Sequence, residues 1–243
     1  MMFNELPALT KKNILVFYFS LNGLIKNIAS FRDLLSQDEQ EKAQRFFFEK
    51  DKDQYTLARG VLRVLLGHYT NVMPPRITFS YHAHGKPYLK DFPSIQFNVS
   101  HSKEMVMLAL NYEDPLGVDI ECMQRKIDVD GISKSFFNDK EHSRLLGLSG
   151  INKKRLFFYQ WAAKEAFVKA IGRGLSFSLK NIEIAFNTKE ELEIATLHDS
   201  SENPANWILH ALGFIPKYVA VLATKAQSKV LVVRNLGTSL AQP

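Results

Sequence analysis

The sequence holds a single cysteine, Cys122, among 243 residues. No intramolecular disulfide can form, and no His/Cys grouping has the spacing of a zinc site, so soft-metal chemistry is set aside. Long apolar runs are missing as well. The first, Ile14 to Phe19, is too short to cross a bilayer, and no small-residue cleavage site follows it. It reads as the first strand of a cytoplasmic protein with no membrane role. A tight basic block is also lacking, as is any aromatic-basic RNA-binding motif, so the formal net charge of +6 does not indicate a nucleic-acid module. Finally, there is no Gly-x-Ser-x-Gly elbow, and Ser100 beside His101 does not make a hydrolase triad by adjacency.

What is present suffices for a folded chain. Hydrophobic residues make up 46% of the sequence and charges of both signs are spread throughout, which supports a buried core in one or two domains. The basic excess suits a small anionic ligand together with an acidic protein partner. Ser36-Gln37-Asp38-Glu39 has the Ser-x-x-Glu pattern of a capping box and opens a helix toward Phe46. Leu57, Val61, Val64 and Leu65 then recur at helical spacing, predicting a second helix with Arg59 and Arg63 on its more polar faces. From Ile77 the texture is strand-like, with a turn at Gly85-Lys86-Pro87 and strands at Ile95 to Val99 and Met105 to Leu110. The polar stretch Asn111 to Pro115 is the best boundary, dividing the chain into 1–113 and 114–243. Beyond it we expect a strand at Gly117 to Glu121 and helices near Lys140 to Leu148 and Lys154 to Ile171. Further strands are expected near Ile182 to Phe186, Trp207 to Leu212, Tyr218 to Leu222 and Val230 to Val233. No repeat is visible at the level of residues.

Three segments could carry chemistry. In Gly117-Val118-Asp119-Ile120-Glu121 the period of two puts both acids on one face of a strand, about 7 Å apart, within reach of one small cation. An amphipathic strand wetted on its acidic side fits the same pattern. On the helix after Lys154, Trp161, Glu165 and Lys169 are four apart and share a face, while Tyr159, Ala163, Ala166 and Ala170 form a small apolar stripe suited to close packing. A surface Glu–Lys pair would look the same, although the Trp beside it argues against simple exposure. Phe97-Asn98-Val99-Ser100-His101-Ser102 reads as a strand ending in a polar turn, where hydroxyls and an imidazole could receive a phosphate.

Taken together, in order and spacing, Gly85-Lys86-Pro87 with Phe97 to Ser102, then Gly117 to Glu121, then Trp161 to Lys169 with Gly172 and Gly174 resemble the motifs of the Sfp-type 4′-phosphopantetheinyl transferases. The resemblance runs from about Gln40 to about Ile184. It implies an α+β fold of two similar α/β halves related by a pseudo-twofold axis, acting as a monomer, with coenzyme A in the cleft between them. It further implies transfer of the 4′-phosphopantetheine arm of coenzyme A to a serine of an apo acyl or peptidyl carrier protein. Asp119, Glu121 and Glu165 would hold Mg²⁺, a hard cation that prefers oxygen ligands. Ser100, His101, Lys86, Pro87 and, with less secure alignment, Lys42 would bind coenzyme A; Arg45, Lys50, Arg59 and Arg63 compete with Lys42 for the 3′-phosphate. Candidates for the catalytic base are Lys169, Glu165, a metal-bound water and, by resemblance, Glu141, which also fits the third position of a helix capped by Asn138. The alternative reading is a non-catalytic protein that binds coenzyme A or a nucleotide.

Overall fold

Burial on both faces marks the first strand as an interior one. The computed structural model describes residues 6–225 and 229–237, apart from the side chain of Leu175. Strand β1 covers Asn13–Ser20, with Ile14, Leu15, Val16, Phe17 and Phe19 all buried. Helices α1 (Leu21–Leu24), α2 (Ile28–Arg32), α3 (Gln37–Gln44) and the 22-residue α4 (Glu49–Thr70) follow. A hairpin of β2 (Phe79–Tyr81) and β3 (Pro87–Leu89) leads to β4 (Ile95–Ser102), β5 (Met105–Tyr112) and β6 (Leu116–Cys122). Next come α5 (Val129–Phe136), α6 (Asp139–Leu146) and α7 (Gly150–Ile171), the last again of 22 residues. Strands β7 (Ile182–Phe186), β8 (Leu192–Leu197), β9 (Ile208–Ala211), β10 (Tyr218–Thr224) and β11 (Val230–Asn235) complete the chain.

The strands form two principal sheets, ordered β11-β1-β5-β4 and β6-β10-β9, with β2-β3 and β7-β8 as separate hairpins. Alternation along each strand decides what lies between them. On the first sheet Leu15, Phe17, Phe19, Val106, Leu108 and Leu110 pack with Leu57, Val61 and Leu65 of α4. Its opposite face, with Ile14, Val16, Met107 and Ala109, meets Val118, Ile120, Ala220 and Leu222 of the second sheet. The far face of that sheet, with Val219, Val221 and Ala223, packs on Ala163, Ala166 and Phe167 of α7. The result is an α+β fold in four layers, α4, sheet, sheet and α7, in which each long helix backs one sheet.

Two findings depart from the sequence reading. The first sheet takes its outer strand, β11, from the far end of the chain, paired parallel to β1 from Asn13↔Val230 to Tyr18↔Asn235; this satisfies a row of backbone groups that β1 would otherwise present at an edge. Arg63 is not on a polar face at all. It is 1% exposed, pairs through Nε with Glu39 Oε2 at 2.5 Å, and donates to Pro74 O, Ile77 O and Ser36 Oγ at 2.8, 2.9 and 2.9 Å. Arg59 pairs with the other oxygen of Glu39, donates to Tyr81 Oη at 3.1 Å and lies 3.7 Å from the Phe79 ring centroid. Glu39 also closes the capping box with Ser36, so one carboxylate joins α3, α4 and the β2 region. Among the described residues no helix is long and apolar enough to cross a membrane.

Candidate active site at the junction of β4, β6 and α7

The apolar stripe of α7 brings the helix unusually close to β6. A Cβ added at Gly117 would sit 2.1 Å from Ala166 O and 2.4 Å from Ala170 N, so glycine is what permits the approach. On the same side of β6 as Gly117 come Asp119 and Glu121, turned away from the inter-sheet core that holds Val118 and Ile120. Lys169, one turn beyond Glu165 on α7, donates to Asp119 Oδ1 at 2.7 Å, Ser100 Oγ at 3.0 Å and Val118 O at 3.3 Å. Strand, helix and the end of β4 thus meet at one point.

Charge is concentrated there. Burial is the main cause that raises the Glu165 carboxyl above the ordinary glutamate range; the Lys169 ammonium opposes it, and the carboxylates of Asp119 and Glu121 push it further up. Asp119 is buried, and while its Oδ1 accepts from Ser100 Oγ (2.9 Å) and Lys169, its Oδ2 is buried with no hydrogen-bond partner. Glu121 Oε2 accepts from Ser102 Oγ at 2.9 Å and from Arg125 Nη1 at 2.7 Å. His101 keeps solvent access, yet the protein packed around it is the larger cause holding its imidazole below the usual histidine range, with Lys169 adding to the effect and Asp119 opposing it.

Could these residues hold a divalent cation? Among the described residues no group of three or more His, Cys, Asp or Glu side chains is already drawn together as a ligand set; hydroxyls and cations hold Asp119 and Glu121 instead. The donor chemistry nevertheless fits a hard ion. Glu165 lies within electrostatic reach of both Asp119 and Glu121, and one buried carboxylate oxygen, Asp119 Oδ2, lacks any partner.

The other residues named from the sequence have the following surroundings. Glu141 is buried at the N-terminus of α6, where Asn138 and Glu141 form a capping box; it pairs with Lys164 Nζ at 2.6 Å and accepts from Ile184 N–H at 2.9 Å. Burial pulls the Lys164 ammonium below its ordinary range, with Glu141 opposing. Lys86 Nζ donates to Leu116 O at 3.1 Å and Ala170 O at 2.8 Å, and burial lowers its pKa to about 8. Pro87 is paired with Tyr81 in the hairpin. Lys42 Nζ lies 5.4 Å from the Tyr55 ring centroid. Arg59, as described, is bound to Glu39. Sequence reasoning named Asn98 and Ser102 only as part of the segment Phe97 to Ser102, without a role of their own, and passed over Arg125; the alternation of Asn98, Ser100 and Ser102 along β4 is the signal for the first two.

Comparison with known proteins shows the family. Residues 115–223 match the family model described as the 4′-phosphopantetheinyl transferase superfamily, and residues 25–113 match that described as 4′-phosphopantetheinyl transferase, N-terminal. The chain is 37% identical over 165 residues to the 4′-phosphopantetheinyl transferase HetI of Nostoc sp., covering 67% of this chain and 69% of that one. Against the 4′-phosphopantetheinyl transferase Sfp of Bacillus subtilis it is 30% identical over 164 residues, covering 68% and 72%. The 4′-phosphopantetheinyl transferase ffp of Bacillus subtilis is 34% identical over 150 residues, covering 62% and 66%. On these matches the chain belongs to the 4′-phosphopantetheinyl transferase superfamily.

Proposed function

We propose that this chain transfers the 4′-phosphopantetheine arm of coenzyme A to a serine of an apo acyl or peptidyl carrier protein, releasing adenosine 3′,5′-bisphosphate, with Mg²⁺ held by Asp119, Glu121 and Glu165. The reading places the protein in the cytoplasm as a monomer, with coenzyme A lying across the junction of residues 1–113 and 114–243. The observation that carries it is the geometry at Asp119 on β6, whose Oδ1 is held by Lys169 of α7 at 2.7 Å and Ser100 of β4 at 2.9 Å while its Oδ2 is buried without a partner, in a chain of this family.

When bound, the cation would neutralise charge on the pyrophosphate and on the departing 5′-phosphate. The protein's own groups do the rest. The serine oxygen forms a bond to the β-phosphorus as the bond from that phosphorus to the bridging oxygen breaks, so negative charge grows on the bridging oxygen. Lys169, the cationic partner of Asp119 at 2.7 Å, is aimed at the same region and stabilises that charge. The serine's proton goes to a nearby base, and Glu165, one turn before Lys169 on α7, is the candidate for this role. His101 receives the 3′-phosphate at the end of β4. Lys42 is a further candidate for that phosphate. Glu141, committed to its helix cap and to Lys164, serves the fold of the second half instead.

Asp119→Ala and Glu165→Ala are expected to lower the rate at which an apo carrier gains the mass of the phosphopantetheine arm by about a hundredfold or more, with circular dichroism unchanged. Full labelling by both variants would remove the metal assignment.

A further inference from the structure

Strand β6 is the outermost strand of its sheet, paired to β10 on one side only. Its free edge should present a row of unpaired backbone groups, but the row is occupied. Val118 N–H donates to Asn98 Oδ1 at 2.9 Å, Ile120 N–H to Ser100 Oγ at 3.3 Å, and Cys122 N–H to Ser102 Oγ at 3.1 Å. The offset is 20 residues at every rung, so side chains at alternate positions of β4 stand in for the carbonyls of a missing neighbour strand. Ser100 and Ser102 then do something Asn98 does not. Each hydroxyl, having accepted from the β6 backbone, donates its proton to the β6 acid one residue earlier, Ser100 to Asp119 Oδ1 and Ser102 to Glu121 Oε2, both at 2.9 Å.

We propose that Ser100 and Ser102 are positioning residues, a latch between the two sheets that aims the Asp119 and Glu121 carboxylates at the cation. A hydroxyl has one proton and two lone pairs. With one lone pair engaged by a backbone N–H and its proton given to a carboxylate, its direction is set on both sides, and so is that of the acid it touches. One oxygen of each acid is thereby tied to β4 and the other is left to bind; at Asp119 that second oxygen, Oδ2, is buried and has no partner. Ser100, read from sequence as a contact to coenzyme A, is accounted for by this latch. The proposal rests on the metal reading above, and the three rungs supply an internal control, since Asn98 latches the strands without touching an acid.

The test is Mn²⁺ binding by the full chain at saturating coenzyme A with no carrier present, followed by the paramagnetic resonance signal of free Mn²⁺, so that no turnover enters. Ser102→Ala is expected to weaken Mn²⁺ binding by about ten- to a hundredfold, and Ser102→Thr, which keeps a hydroxyl, to recover most of the loss. Asn98→Ala should lower the melting temperature while leaving the Mn²⁺ dissociation constant within about twofold of wild type. Where Ser102→Ala does not fold, Ser100→Ala asks the same question at Asp119. Wild-type affinity in the serine variant, or an equal loss in Asn98→Ala, overturns the proposal and leaves the metal reading standing. Failure of the unaltered chain to bind Mn²⁺ overturns that reading and the latch with it.

Discussion

Lys86, a motif residue, is also tied into the fold. Its ammonium caps two carbonyls, Leu116 O on the edge of β6 and Ala170 O near the end of α7, and burial brings its pKa from 10.5 to about 8. Between those values the unfolded chain holds more protons than the folded one, so raising the pH favours the fold. The unfolding free energy from urea titrations should therefore rise from pH 8 toward pH 10.5 more steeply in the wild type than in Lys86→Met; equal slopes would refute the burial of a charged Lys86. At His101 the linkage that matters on the proposed function is to the ligand. Its imidazole is held below the usual range in the free protein, and a phosphate beside it would raise it again, so binding of coenzyme A should take up protons and strengthen as the pH falls. Calorimetry in buffers of different ionisation heat reads that uptake directly, and dephospho-coenzyme A should show little of it. At this scale the sequence was legible where the partner is close along the chain, as in the Ser36–Glu39 capping box, and opaque where it is distant. The burial of Arg63 depends on carbonyls at Pro74 and Ile77, and no spacing rule along α4 reports them.

Among elements, the contact of β6 with α7 is the most demanding. Gly117→Ala would drive a methyl carbon to within 2.1 Å of Ala166 O, so helix and strand must part. We expect a loss of about 2–4 kcal/mol in stability and, because Asp119 and Lys169 ride on the two parting elements, a larger fall in labelling than the stability loss alone explains. A variant with wild-type melting and activity would show that the approach is slack. Elements announced by strict alternation or by an apolar stripe were legible: β1, β4, β5, β6, β7 and β10 lie where the pattern put them, within a few residues. The start of α7 was set four residues late, because Ser149 offers no side-chain cap to mark it. Strand β8 was missed for a different reason. Lys189-Glu190-Glu191-Leu192-Glu193 is rich in helix formers, and only the burial of Leu192 and Ile194 against β7 makes the segment a strand. Helix α5 went unread although Asp128 caps it through Gly131 N–H at 3.0 Å.

For the whole molecule, a net charge of +6 meets, on the proposed function, a carrier expected to be acidic. Long-range attraction would speed their encounter and be screened by salt. The apparent KM for the carrier should then rise several-fold between about 50 and 300 mM salt, while that for coenzyme A, held by local contacts, changes less; an unchanged carrier KM would dismiss steering. The layered plan itself was only partly legible. Two long helices and two sets of strands could be counted from the sequence, but the face-to-face packing of the sheets depends on which side of each strand looks inward, and the return of β11 to β1 joins residues more than two hundred positions apart. That return ties the end of the chain into the core of the first half. A chain severed after residue 225 would keep both matched regions yet bare the flank of β1 from Asn13 to Tyr18, an adhesive border that invites aggregation. A short peptide spanning 229–237, added in trans, is the filler that would seal it.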